Sequence, residues 1–89
     1  MLQAVIIMAQ ITEEQKKEIR EIILDRFYLG EMEDISDKSH LFRDLGFDDL
    51  DFIELVMELE NHFDITIQDS EWENVEIVER VYDVVNNCL

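Results

Sequence analysis

Carboxylates are the side chains of this sequence best placed to do chemistry. Asp44, Asp48, Asp49 and Asp51 crowd into one short stretch, D-L-G-F-D-D-L-D. Such clusters attract hard divalent cations, but an EF-hand loop needs a glycine and a terminal glutamate at set positions, and both positions are unmet here. The stretch predicts loose cation attraction and no dedicated metal site. His40 and His62 stand apart, with no second histidine or cysteine at ligand spacing, so a zinc centre is not expected. Carboxylate pairs are plentiful, yet neither a histidine–nucleophile pairing nor a glycine-rich phosphate loop accompanies them. The expectation is a protein that is not an enzyme.

The elements that position these acids can be read from spacing. Thr12 followed by Gln15 has the form of a capping box and opens a helix over about residues 13–29. In it Ile19, Ile22, Ile23 and Phe27 make one apolar stripe, while Lys16, Lys17, Glu18, Arg20 and Glu21 face mostly solvent. Gly30 is a plausible C-terminal stop. Residues 31–47 form a long polar loop that Ile35, Leu41, Phe42 and Leu45 are expected to pin to the core. Asp48 is a good N-cap for a second helix reaching about His62. Phe52, Val56, Leu59 and Phe63 supply its buried stripe, Ile53, Leu55 and Met57 widen it, and Asp49, Asp51, Glu54, Glu58 and Glu60 supply its charge. Asp64–Ile67 alternates like a strand but is too short to make a sheet without a partner, so it reads as an extended connector burying Ile65 and Ile67. Asp69 or Ser70 starts a short third helix around Trp72. A last helix over about 76–86 buries some of Ile77, Val78, Val81, Tyr82 and Val85. The fold class is all-α: a bundle of three long helices and one short one.

Composition narrows the function. Twenty-three acidic residues against seven basic ones give a net charge of −16. Counterion release at nucleic acid needs clustered Lys and Arg, so nucleic acid is not an expected partner, and an acidic membrane surface would repel the chain. The field favours basic patches on partner proteins and keeps a monomer in solution. One cysteine, Cys88, cannot close an intrachain disulfide, which predicts a reducing, cytoplasmic setting. The apolar residues 1–8 lack a basic flank and a cleavage site and are too short to span a bilayer. Residues 1–11 are read as an N-terminal extension and 12–89 as the domain.

The run Asp44-Leu45-Gly46-Phe47-Asp48-Asp49-Leu50-Asp51, followed by Glu54-Leu55-Val56-Met57-Glu58-Leu59-Glu60, resembles the heart of an acyl carrier protein. That family reads D-L-G-x-D-S-L-D and then an acidic helix of the type x-x-E-L-V-M-x-L-E. Phe63-Asp64-Ile65-x-Ile67-x-Asp69 matches the loop that follows, although Gln68 stands where proline is frequent. The resemblance spans roughly residues 12–87. It implies an acyl-carrier-like bundle and a serine bearing 4′-phosphopantetheine at position 49, where this sequence has Asp49. A carboxylate attacking the pyrophosphate of coenzyme A would give an acyl phosphate anhydride that water cleaves, so Asp49 is no chemical substitute for serine. No phosphopantetheine is expected on the chain as it stands, and one is expected if position 49 were serine. Ser36, Ser39 and Ser70 lie away from the motif.

Three readings of Asp49 stay open: an acid that strengthens a helix start, a fixed negative charge in place of a phosphate, or an engineered change. The resemblance also implies docking of the second helix onto basic patches of fatty-acid or polyketide-type enzymes through Asp48, Leu50, Asp51, Glu54, Met57 and Glu58, with Glu60 a further candidate. The family interior accepts an acyl chain, and Phe42, Phe47, Phe52, Phe63 and Trp72 are expected to fill part of it. The alternative function is an acidic regulatory or decoy protein unconnected with acyl transfer.

Overall fold

A computed structural model describes residues 10–27 and 35–89. The described residues form three α-helices, α1 (Glu13–Phe27), α2 (Asp49–Phe63) and α3 (Val78–Cys88), with a 3-10 turn at Asp69–Trp72 between the last two. Most of the 1–11 extension, the Gly30 stop and the start of the long loop lie outside the described residues, as does the side chain of Phe27.

α1 begins where its capping box predicts. The Thr12 N–H donates to Gln15 Oε1 at 2.9 Å, and the Gln15 N–H donates to Thr12 Oγ1 at 3.1 Å. Two donors that a helix start leaves unpaired are thereby satisfied. Ile19 and Ile23 are fully buried, and α1 packs on both α2 and α3. The core continues through Leu41, Leu55, Leu59, Val78, Val81 and Val85, all without solvent exposure. The loop residues Ile35, Leu41 and Leu45 are buried and Phe42 packs against the core, so the described part of the loop, residues 35–47, is held as expected.

Several boundaries differ from the sequence reading. The short helix is a four-residue 3-10 turn, preceded by Gln68 with no side-chain cap. The turn ends at Trp72, where Glu73 takes an extended conformation and Asn74 a positive φ of 63°, so the helical path is broken after one turn. α3 starts at Val78, because Leu41 N–H bonds Glu76 O and Val78 N–H bonds Ser39 O, drawing 76–77 into a single antiparallel bridge between His40 and Ile77. Ile67 is buried in the connector and Ile65 is half-buried. Val75 and Val84, outside the expected core, are buried as well.

A polar tie crosses the bundle. Arg20 Nη1 donates to Tyr82 Oη at 2.7 Å, and the Tyr82 hydroxyl donates to Asp37 Oδ1 at 2.8 Å, joining α1, α3 and the loop. Burial is the first cause that pushes the Tyr82 phenol up to about 12; Arg20 opposes the rise and the Asp37 hydrogen bond adds to it. Because the folded state holds this proton more tightly, the stability involved is complete below the phenol's ordinary value of 10.0 and is lost as pH climbs towards about 12. Thermal melts between pH 9 and 12 should fall more steeply for the parent than for Tyr82→Phe. Parallel curves would mean that the tie contributes no proton linkage.

Candidate functional site

The loop from Ile35 to Phe47 sets the position of α2. His40 organises it: the imidazole Nδ1 accepts from the N–H groups of Phe42 (3.2 Å) and Arg43 (3.0 Å), which places the ring proton on Nε2. The His40 N–H donates to Asp44 Oδ2 at 2.7 Å, and the Asp44 and Leu45 N–H groups return to His40 O. Gly46 then takes φ +78°, a left-handed conformation that explains the glycine in the motif; a Cβ there would meet nothing within 4 Å, so the cost of replacing it is conformational.

Asp48 caps α2 as expected, and Asp51 completes the cap. Asp51 N–H donates to Asp48 Oδ1 at 2.8 Å, while Asp48 N–H donates to Asp51 Oδ2 at 3.0 Å. Asp44, Asp48 and Asp51 therefore each spend a carboxylate oxygen on the backbone. Asp49, first residue of the helix, is exposed, and its carboxylate has no hydrogen-bond or ion partner among the described residues. Losing the cap in Asp48→Ala should cost about 0.5–2 kcal/mol. Asp49→Ala should lose only the dipole contribution, about 0.3–1 kcal/mol. Chemical denaturation of the two variants checks the order, and equal losses would contradict the assignment of the cap.

The outward side of α2 departs from the sequence reading. Ile53 and Met57, expected to widen the buried face, are 56% and 57% exposed, and Leu50 is 62% exposed. With Leu55 and Leu59 already fully buried, no helix among the described residues covers the opposite side. Leu50, Ile53 and Met57 follow one another at three- and four-residue steps and so share one face. Glu54 and Glu58 border this stripe and are half-buried, as is Asp51. Glu60, a further docking candidate, instead accepts the Ile67 N–H on Oε2 at 2.9 Å and holds the connector.

Behind α2, Phe42, Phe52 and Trp72 form a chain of rings, with centroids 5.8 Å and 5.3 Å apart and an edge-to-face Phe52–Trp72 contact at 86°. Trp72 is 8% exposed, and its indole Nε1 is buried without a hydrogen-bond partner among the described residues. Of the serines, Ser39 is buried and its Oγ accepts the Ser36 N–H at 2.9 Å, while Ser36 and Ser70 are exposed. The lone thiol, Cys88, is half-buried, and burial first, then Glu71 and Glu60, raise it above the ordinary thiol value. Thiolate chemistry is disfavoured there.

A glycine-turned loop, a capped acidic helix and an outward stripe headed by position 49 are the features of a carrier domain. The family model described as "Phosphopantetheine attachment site" matches residues 17–81, and the chain belongs to that family, the acyl carrier proteins. It is 39% identical over 74 residues to the acyl carrier protein of Buchnera aphidicola subsp. Baizongia pistaciae, covering 83% of this chain and 94% of that protein. A solved structure from Mycobacterium tuberculosis, assigned as an acyl carrier protein (Rv0033), superposes with a TM-score of 0.68 at 33% identity, over 79% of this chain and 93% of that one. Phosphopantetheine attachment requires a hydroxyl that leaves a stable phosphodiester. The group at the head of α2 is the carboxylate of Asp49, and it does not fit that chemistry.

Proposed function

We propose that this chain is a non-enzymatic docking domain of the acyl carrier type that meets fatty-acid or polyketide-type enzymes without carrying a phosphopantetheine arm. The observation that carries this reading is the outward face of α2, where Leu50, Ile53 and Met57 are exposed together beside the acids of the helix. Apolar side chains grouped on a surface mark interaction sites more often than chance exposure does. The acidic surround selects basic partners and accelerates encounter. Asp48 and Asp51 serve the face indirectly, by holding the helix start, while Leu50, Glu54, Met57 and Glu58 present it. The aromatic chain through Phe42, Phe52 and Trp72 supports the same reading, since it occupies the interior behind α2.

In this reading the protein is a cytoplasmic monomer with no metal, nucleic-acid or membrane partner. No helix among the described residues is long and apolar enough to cross a membrane. A second reading, an acidic decoy for unrelated basic surfaces, draws on the net charge of −16. Binding to an immobilised phosphopantetheinyl transferase and to a small basic protein foreign to acyl transfer separates the two. Selective binding to the transferase that persists at physiological salt supports docking. Equal, salt-labile binding to both supports the decoy.

A further inference from the structure

Asp49 differs from every other acid in its stretch: its carboxylate is left over. Asp44, Asp48 and Asp51 are engaged with backbone N–H groups, whereas Asp49 stands exposed at the head of the apolar stripe of Leu50, Ile53 and Met57. Any enzyme that attaches a phosphopantetheine arm must bring the side chain at this position against the pyrophosphate of coenzyme A. That pyrophosphate has to be neutralised by cations, whether a divalent metal, lysine or arginine. Docking through the stripe therefore delivers an uncommitted anion into a pocket built for anions. The carboxylate oxygens of aspartate lie one bond farther from the backbone than a serine Oγ, towards the place a phosphate oxygen would take.

Resting on the docking function proposed above, we infer that this chain is a dead-end competitor of phosphopantetheinyl transferases: Asp49 takes the enzyme's pyrophosphate-binding cations, so that bound chain and bound coenzyme A exclude one another. Two anions competing for the same cations cannot both be satisfied, and the carboxylate is held ready at a helix start that favours negative charge. The stripe provides the contact area and the carboxylate provides the exclusion. The occupant of this face is accordingly an enzyme surface with an apolar depression beside a cationic, coenzyme A-binding pocket.

The test measures transfer of a fluorescent coenzyme A arm to an ordinary serine-bearing carrier by a broad-specificity transferase with magnesium. This chain is added as inhibitor, beside Asp49→Asn, Asp49→Ser and Met57→Glu, each checked for a cooperative melt. Inhibition by the parent should be competitive against both the carrier and coenzyme A. Asp49→Asn should inhibit about tenfold more weakly, through loss of a charge-assisted contact, and should compete with the carrier alone. Met57→Glu should weaken both effects. If Asp49→Asn matches the parent in strength and pattern, the inference is overturned while docking stands. It is overturned in the same way if the parent does not inhibit but Asp49→Ser is modified. If neither the parent nor Asp49→Ser engages the enzyme, the docking reading itself fails and takes the inference with it. Release of 3′,5′-ADP from parent, coenzyme A and transferase without the reporter carrier would show that Asp49 attacks the pyrophosphate and that water then frees 4′-phosphopantetheine from the anhydride. That turnover would also overturn a dead-end role.

Discussion

In an Asp49→Ser background, Met57→Glu should lower the efficiency of arm transfer by more than tenfold, and Glu54→Lys should lower it by several-fold to about tenfold. The two losses have different causes. Met57 is an exposed apolar side chain at the middle of the stripe, and truncating or charging a central anchor of an interface commonly costs about 2 kcal/mol or more. That loss falls on the lifetime of the complex and survives added salt. Glu54 lies on the stripe's border, so its reversal acts on encounter, where electrostatic steering changes association rates by about 10 to 10³ for a whole charge pattern. Salt should erase much of the Glu54→Lys effect, because the Debye length contracts from about 10 Å at 0.1 M to about 3 Å at 1 M. Glu13→Lys is the control: Glu13 sits in the first turn of α1, 3.2 Å from Lys16, outside α2. Stopped-flow association and dissociation rates separate the effects. Equal slowing by all three substitutions would mean that net charge steers the encounter and that the face of α2 has no special part in it.

Local exchanges are the part of this fold most legible in the sequence. Thr12 with Gln15, and Asp48 at the head of α2, can be read directly because capping joins residues three apart. Asp51 is legible as an acid of the helix but not as the second half of the cap, since both its roles ask for the same residue type at the same place. Ile53 and Met57 escape the sequence reading for a related reason. Helical spacing shows that a helix has a wide apolar side, but which part of that side a neighbour covers depends on packing. Among the described residues α2 is covered where Leu55 and Leu59 are fully buried and where Phe52, Val56 and Phe63 pack against the core. Core and docking surface ask for the same residue type at Met57, and its exposure favours docking.

His40 carries no signal as an organiser of the loop, because two backbone N–H groups converging on Nδ1 are a property of the turn and not of residue type. The 3-10 turn resembles a helix in sequence because the acids Asp69 and Glu71 mimic a helix start. The break after Trp72, with Glu73 extended and Asn74 at positive φ, is a property of the backbone that residue type does not announce. Position 49 is the most legible of all, since a single departure in a closely matching motif needs no structure to be noticed. What the structure adds is that its carboxylate is uncommitted.

Asp49→Ser should turn this chain into a substrate for arm attachment, the largest change that any single substitution here is expected to make. The hydroxyl would stand at the first position of a helix whose cap, Asp48 with Asp51, does not depend on residue 49. The substitution removes one helix-start charge at a cost of about 0.3–1 kcal/mol and leaves the fold intact. The decisive measurement is intact mass after incubation of the chain and of Asp49→Ser with coenzyme A, magnesium and a broad-specificity phosphopantetheinyl transferase. The chain as it stands should keep its mass, and Asp49→Ser should gain one phosphopantetheine arm. An arm on the unaltered chain, mapped to Ser36, Ser39 or Ser70, or an Asp49→Ser protein that stays unmodified, would contradict the assignment of position 49 as the lost attachment site.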